Sequence, residues 1–87
     1  KTYDMYCDPG HGWLKVKRKE LHDLGIQFKI SSYSYVRNDD VFLEEDCDYT
    51  EFLQAMRDRG IIVRARYHHT NRDSKIRNYD RYLCQKA

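Results

Sequence analysis

Proline occurs once and glycine four times in 87 residues, too few for a collagen-like or low-complexity disordered chain. No apolar run approaches the roughly 18 residues that a membrane-spanning helix needs, and no signal peptide is expected. The three cysteines, Cys7, Cys47 and Cys84, are an odd and widely separated set with no Cys-x-x-Cys pair. A small secreted domain held by disulfides carries an even, closely spaced set. The composition therefore predicts a reducing, cytoplasmic compartment, in which these cysteines serve as small apolar residues.

Signatures of catalysis and of metal binding are missing as well. Gly10-His11-Gly12 is too short for a phosphate-binding glycine loop and lacks the following Lys-Ser/Thr. Nothing like a nucleophile elbow surrounds Cys7, Cys47 or Ser74. The acids near residue 45 lack the Asp-x-Asp-x-Asp-Gly order of a calcium loop. His11, Cys7 and Cys47 match no zinc-module spacing, and the adjacent His68 and His69 face opposite sides of a strand. The expectation is a protein that is not an enzyme and has neither cofactor nor metal.

What is present fits one domain over residues 1–87. A chain of this size buries only about 60–65% of the surface it exposes when unfolded. Hydrophobic residues make up 40%, and eight tyrosines supply much of that share. Tyrosine lines a core with its ring while its hydroxyl reaches water or a partner, so a thin core and an adhesive surface are expected.

Along the chain, residues 2–7 alternate as a strand and stop at Asp8-Pro9-Gly10-His11-Gly12, a turn by composition. Trp13 to Val16 resumes as a short strand. A helix from Arg18 carries Leu21 and Leu24 and ends at Gly25. Ser32, Tyr33, Ser34 and Tyr35 alternate in a strand spanning 30–36, Asn38-Asp39-Asp40 turns, and Val41-Phe42-Leu43 returns, which predicts a hairpin. Asp48 with Glu51 three residues on reads as a capping box, with Cys47 and Phe52 as its staple, for a helix ending at Gly60. Residues 61–69 read as a strand with Arg64, Arg66 and His68 on one face. Asp73 is placed to cap a last helix bearing Ile76, Tyr79 and Leu83. This order predicts an α+β fold, a small ferredoxin-like βαββαβ sheet with helices on one face plus a C-terminal helix.

Charge is segregated beneath the overall +2. Seven acids and no base lie between Asp39 and Glu51 (Asp39, Asp40, Glu44, Glu45, Asp46, Asp48, Glu51). From Arg57 onward nine bases face three acids. Arg64, Arg66, His68, Arg72 and Arg77, interleaved with tyrosines, have the chemistry to bind phosphates and stack on bases. Equally, they have the chemistry to pair with the acids inside the domain. Glu44, Glu45 and Asp46 have the chemistry to imitate a phosphate backbone on a nucleic-acid-handling protein. His11, bracketed by glycines and followed by Trp13, is the best single-site candidate. Tyr33 and Tyr35 are candidate aromatic contacts, in the manner of RNA-recognition sheets, although the Lys/Arg-Gly-Phe/Tyr-Gly/Ala-Phe signature is absent.

The runs Asp8-Pro9-Gly10-His11-Gly12-Trp13-Leu14, Ile30 to Tyr35, Leu43-Glu44-Glu45-Asp46-Cys47-Asp48 and His68-His69-Thr70-Asn71 together resemble a family of small proteins carried by phages and mobile elements. That resemblance implies an accessory role in a host cell: an inhibitor of host defence (anti-CRISPR-like proteins among them), a host-takeover factor or a small nucleic-acid binder. The leading expectation is a non-catalytic protein that binds a host protein or nucleoprotein complex. Direct RNA or DNA binding by the C-terminal arginines and a small enzyme or metal protein centred on His11 are the alternatives.

Overall fold

The Asp8–His11 segment turns the chain sharply back on itself. The Asp8 N–H donates to the His11 carbonyl at 2.9 Å, and the Asp8 carboxylate accepts the N–H groups of Gly10 and His11 at 3.0 and 2.9 Å. Such side-chain-to-backbone bonds are why aspartate favours turns. In the computed structural model, which describes residues 1–84, this turn joins β1 (Thr2–Cys7) to β2 (Gly12–Lys17) as an antiparallel pair running from Cys7↔Gly12 to Asp4↔Lys15. The chain continues through α1 (Arg18–Asp23), β3 (Tyr35–Arg37), β4 (Asp40–Glu44), α2 (Asp48–Asp58) and β5 (Arg64–His69). A 3₁₀ turn (Lys75–Asn78) and β6 (Asp80–Arg81) follow.

The protein is thus α+β, with two helices and one mixed six-stranded sheet in the order β5-β1-β2-β4-β3-β6. β5 runs parallel to β1, and every other pairing is antiparallel. This order differs from the ferredoxin-like one. Because the tight Asp8 turn makes β1 and β2 direct neighbours, β5 docks beside β1, and α2 carries the chain across both strands from β4.

Alternation assigns the two faces. Met5, Leu14, Val16, Val41 and Leu43 turn toward the helices and pack with Leu21, Ile26, Ile30, Phe52, Met56 and Tyr82. Phe52 and Met56, four apart on α2, are fully buried or nearly so. Each such side chain contributes about 1.5–3 kcal/mol. On the opposite face Trp13, Tyr35, Phe42 and Ile76 form a second cluster, edged by Tyr6 and Tyr79.

Four expected elements take another form. Of the strand expected at 30–36, only Tyr35–Arg37 pairs, because Ser31 and Ser34 are drawn off to Asp48. That residue is buried rather than a cap. Its carboxylate accepts the Ser31 N–H at 3.0 Å, the Ser31 hydroxyl at 2.7 Å and the Ser34 hydroxyl at 2.5 Å. Cys47, placed for the staple, is exposed. The segment expected as a last helix is the 3₁₀ turn and β6, and Ser74, not Asp73, caps it through the Ile76 N–H at 3.2 Å. Leu83, expected on that helix's buried stripe, is exposed. The fourth is the strand expected from residue 61, which begins at Arg64. The Asn38-Asp39 turn, with Asn38 at φ 56°, and the glycine ends of both helices, at φ 72° and 73°, match the sequence reading. No helix among the described residues is long and apolar enough to cross a membrane.

Replacing Asp48 by alanine strands three buried or half-buried donors, and hydrogen bonds to charged groups are worth about 1.5–3 kcal/mol each. Urea unfolding is expected to show a loss of about 3 kcal/mol or more for Asp48→Ala. Glu51→Ala, which removes only an exposed first-turn charge, is expected to cost under about 1 kcal/mol. Equal losses would return Asp48 to the role of a simple cap.

Candidate functional site: an acidic and aromatic cleft

Cross-strand register builds one end of the open sheet face. Tyr6, Trp13 and Glu44 stand side by side on β1, β2 and β4, so their side chains share that face. The turn after β1 brings His11 alongside. The turn after β4 brings Asp46, and Tyr33 precedes β3. His11, Trp13, Tyr33, Tyr35, Glu44, Asp46 and Arg77, all named from sequence, line a single cleft of about 290 Å³ together with Cys47.

The acidic corner of this cleft is held from two sides. Glu44 is buried, its Oε2 accepting the Asp46 N–H at 3.0 Å, while its Oε1 lies 3.4 Å from His11 Nδ1. Asp46 Oδ2 lies 3.9 Å from the same nitrogen and is largely exposed. Burial, and then the neighbouring Asp46 charge, push the Glu44 carboxyl above its ordinary range. Tyr33 stands at the rim, 66% exposed, whereas Trp13 is 2% exposed. The Trp13 indole N–H is the sole buried side-chain donor without a partner among the described residues.

Arg77 is the only arginine or lysine on the lining, and its charge is committed elsewhere. Its guanidinium forks onto Asp8, Nε to Oδ2 at 2.6 Å and Nη2 to Oδ1 at 2.9 Å, and lies 5.3 Å over the Trp13 ring. The Asp8 side chain is fully buried and also accepts the Ser74 N–H at 2.9 Å. These bonds, Arg77 first, hold the Asp8 carboxyl well below the usual carboxylate range.

The remaining sequence candidates lie elsewhere. Glu45 sits in the turn beside the cleft, its N–H on the Gly12 carbonyl at 2.9 Å, and does not line it. Arg64, Arg66 and His68 do share one face of β5, as expected, but at the sheet edge, two strands from Trp13. Arg66 and His68 both meet Asp4 Oδ1 at 2.9 Å, and these two hydrogen bonds hold the Asp4 carboxyl at about 2. His68 also stacks on Tyr6 with ring centroids 4.9 Å apart. Arg72 is exposed in the turn beyond β5. Sequence reasoning left Cys47 and Asp8 out of the site. Asp8 had a visible signal in its turn, but its partner Arg77 stands 69 residues away.

Comparison of the chain with protein-family models, curated proteins and solved structures finds no match.

Breaking the Asp8–Arg77 pair from the buried side is expected to be costly. Asp8→Ala is expected to lower stability in chemical denaturation, because it removes the acceptor of the Gly10, His11 and Ser74 N–H groups as well as of the Arg77 fork. The pH dependence has a definite sign. The folded-state pKa of Asp8 lies below its unfolded value of about 3.9, so its stabilisation is complete above that pH and fades as the pH falls further. Asp8→Asn is expected to flatten the acid limb of the stability curve. An unchanged acid limb would take the pair out of the structure's acid response.

Proposed function

We propose that the chain is a non-catalytic accessory protein that docks a basic segment of a host protein on the cleft's acidic rim. One observation carries this reading. Among the described residues no lysine or arginine pairs with Glu44, Glu45 or Asp46, while Arg66 and Arg77 are paired with Asp4 and Asp8. The acidic turn beside the cleft therefore keeps its charge available for a partner, although the chain as a whole is +2.

The rim suits an arginine or lysine side chain. A guanidinium forks onto a carboxylate and lies over an aromatic face, and exposed Tyr33 stands beside Glu44 and Asp46. Clustered carboxylates also speed encounter with a basic surface through their long-range field. Proteins that handle nucleic acid carry such surfaces. The resemblance to phage and mobile-element proteins supports a partner in a host cell, and a nucleic-acid-handling defence complex is one with the required chemistry.

Affinity capture from host lysate, with and without nuclease, tests the reading. Capture is expected to survive nuclease, to weaken with salt, to be lost in the double variant Glu45→Lys/Asp46→Lys and to persist in Arg64→Glu/Arg66→Glu. Nuclease-sensitive capture lost only in the arginine variant, with a steeply salt-dependent mobility shift, would make the chain a direct nucleic-acid binder instead.

A further inference from the structure

We infer that His11, Glu44 and Asp46 form a site for a single divalent transition-metal ion of the zinc or manganese class. Their ligand atoms, one imidazole nitrogen and two carboxylate oxygens, all lie within 4.8 Å of one another. Metal bonds of about 2.0–2.2 Å in a tetrahedral site place donor atoms roughly 3.3–3.6 Å apart. His11 Nδ1 and Glu44 Oε1 already stand at 3.4 Å. Asp46 Oδ2 lies 3.9 Å from His11 Nδ1 on a largely exposed side chain, and rotation of that side chain closes the set.

Two of the three donors are held before any ion arrives. Glu44 ends the central strand β4, and the Asp46 N–H pins its Oε2, leaving Oε1 turned to His11. The His11 backbone is fixed by Asp8. Pre-positioned donors with restricted rotamers are what a metal site requires. Two carboxylates side by side without a lysine or arginine are also electrostatically incomplete, and a divalent ion neutralises them.

The Trp13 indole N–H borders this site. It belongs to a residue 2% exposed, on the wall of the same cleft, and lacks an acceptor. Three protein ligands leave open coordination positions. A water filling one of them would complete the coordination. The donor set selects the ion class: one nitrogen and two carboxylates suit zinc, manganese or ferrous iron, whereas calcium takes six to eight oxygens.

This site stands apart from the docking reading, and either is able to fail alone. Since both occupants need Glu44 and Asp46, excess ion would displace a basic segment. The test uses the full chain, titrated with zinc by calorimetry and with cobalt as a visible-absorption probe. A single ion per chain is expected. His11→Ala and Asp46→Asn alter exposed side chains and are expected to keep the wild-type circular dichroism and melting. They are also expected to weaken affinity by more than the roughly 10–100-fold that loss of a supporting bond to a metal ligand costs. No binding by the wild type, binding that both variants retain, or a thiolate-to-cobalt charge-transfer band placing the ion on a cysteine would each overturn the inference.

Discussion

The Asp8 carboxylate is the joint on which both the hairpin and the site depend. It accepts two N–H groups of its own turn, the N–H of Ser74 and both arms of the Arg77 fork. The first two bonds set the β1–β2 reversal and the position of His11. The others dock the C-terminal segment on the opposite face, where Ile76 closes the aromatic cluster. A single buried charge, fully hydrogen-bonded, thus connects residues at the two ends of the chain. Unpaired, it would be among the costliest groups in the domain.

From that joint the C-terminal segment passes around the β3 edge of the sheet. Ile76 packs on one face, β6 pairs with β3, and Tyr82 returns to the helical face, where its hydroxyl donates to the Gln27 carbonyl at 2.6 Å. The Tyr82 N–H meets the Ser34 carbonyl at 2.8 Å, and the Ser34 hydroxyl meets Asp48. Two buried aspartates, Asp8 and Asp48, therefore anchor the segments that lack regular secondary structure. Asp8 does so by accepting from backbone N–H groups and the Arg77 guanidinium, and Asp48 by accepting from the Ser31 N–H and the Ser31 and Ser34 hydroxyls.

The pairing pattern qualifies the first impression left by charge. The arginine-rich C-terminal part reads as the adhesive surface, yet Arg66, Arg77 and His68 find carboxylates from β1 and the turn after it. Lys15 and Lys17 similarly converge on Asp40. The short acidic turn after β4, beside exposed Tyr33, has no lysine or arginine partner among the described residues. A cation, whether a side chain or an ion, is the natural complement of that arrangement.

Local chemistry determined much of this fold. Alternation at 2–7 and 41–43, the Asp-Pro-Gly turn, the positive-φ Asn38 and the glycine helix ends each act within a few residues, so the sequence alone marked them. It also marked seven of the eight residues lining the cleft, because loop histidines, clustered acids and aromatics are conspicuous by type. Tertiary structure alone decided where those residues met and which charges stayed free. The partners that settled this are distant: Asp8 with Arg77, Asp4 with Arg66, Asp48 with Ser31 and Ser34. A buried carboxylate takes whichever donors the assembled sheet brings within about 3 Å, and that choice leaves no trace in local spacing. The segregation of acids and bases belongs to the sequence; the identity of the uncompensated acids belongs to the fold.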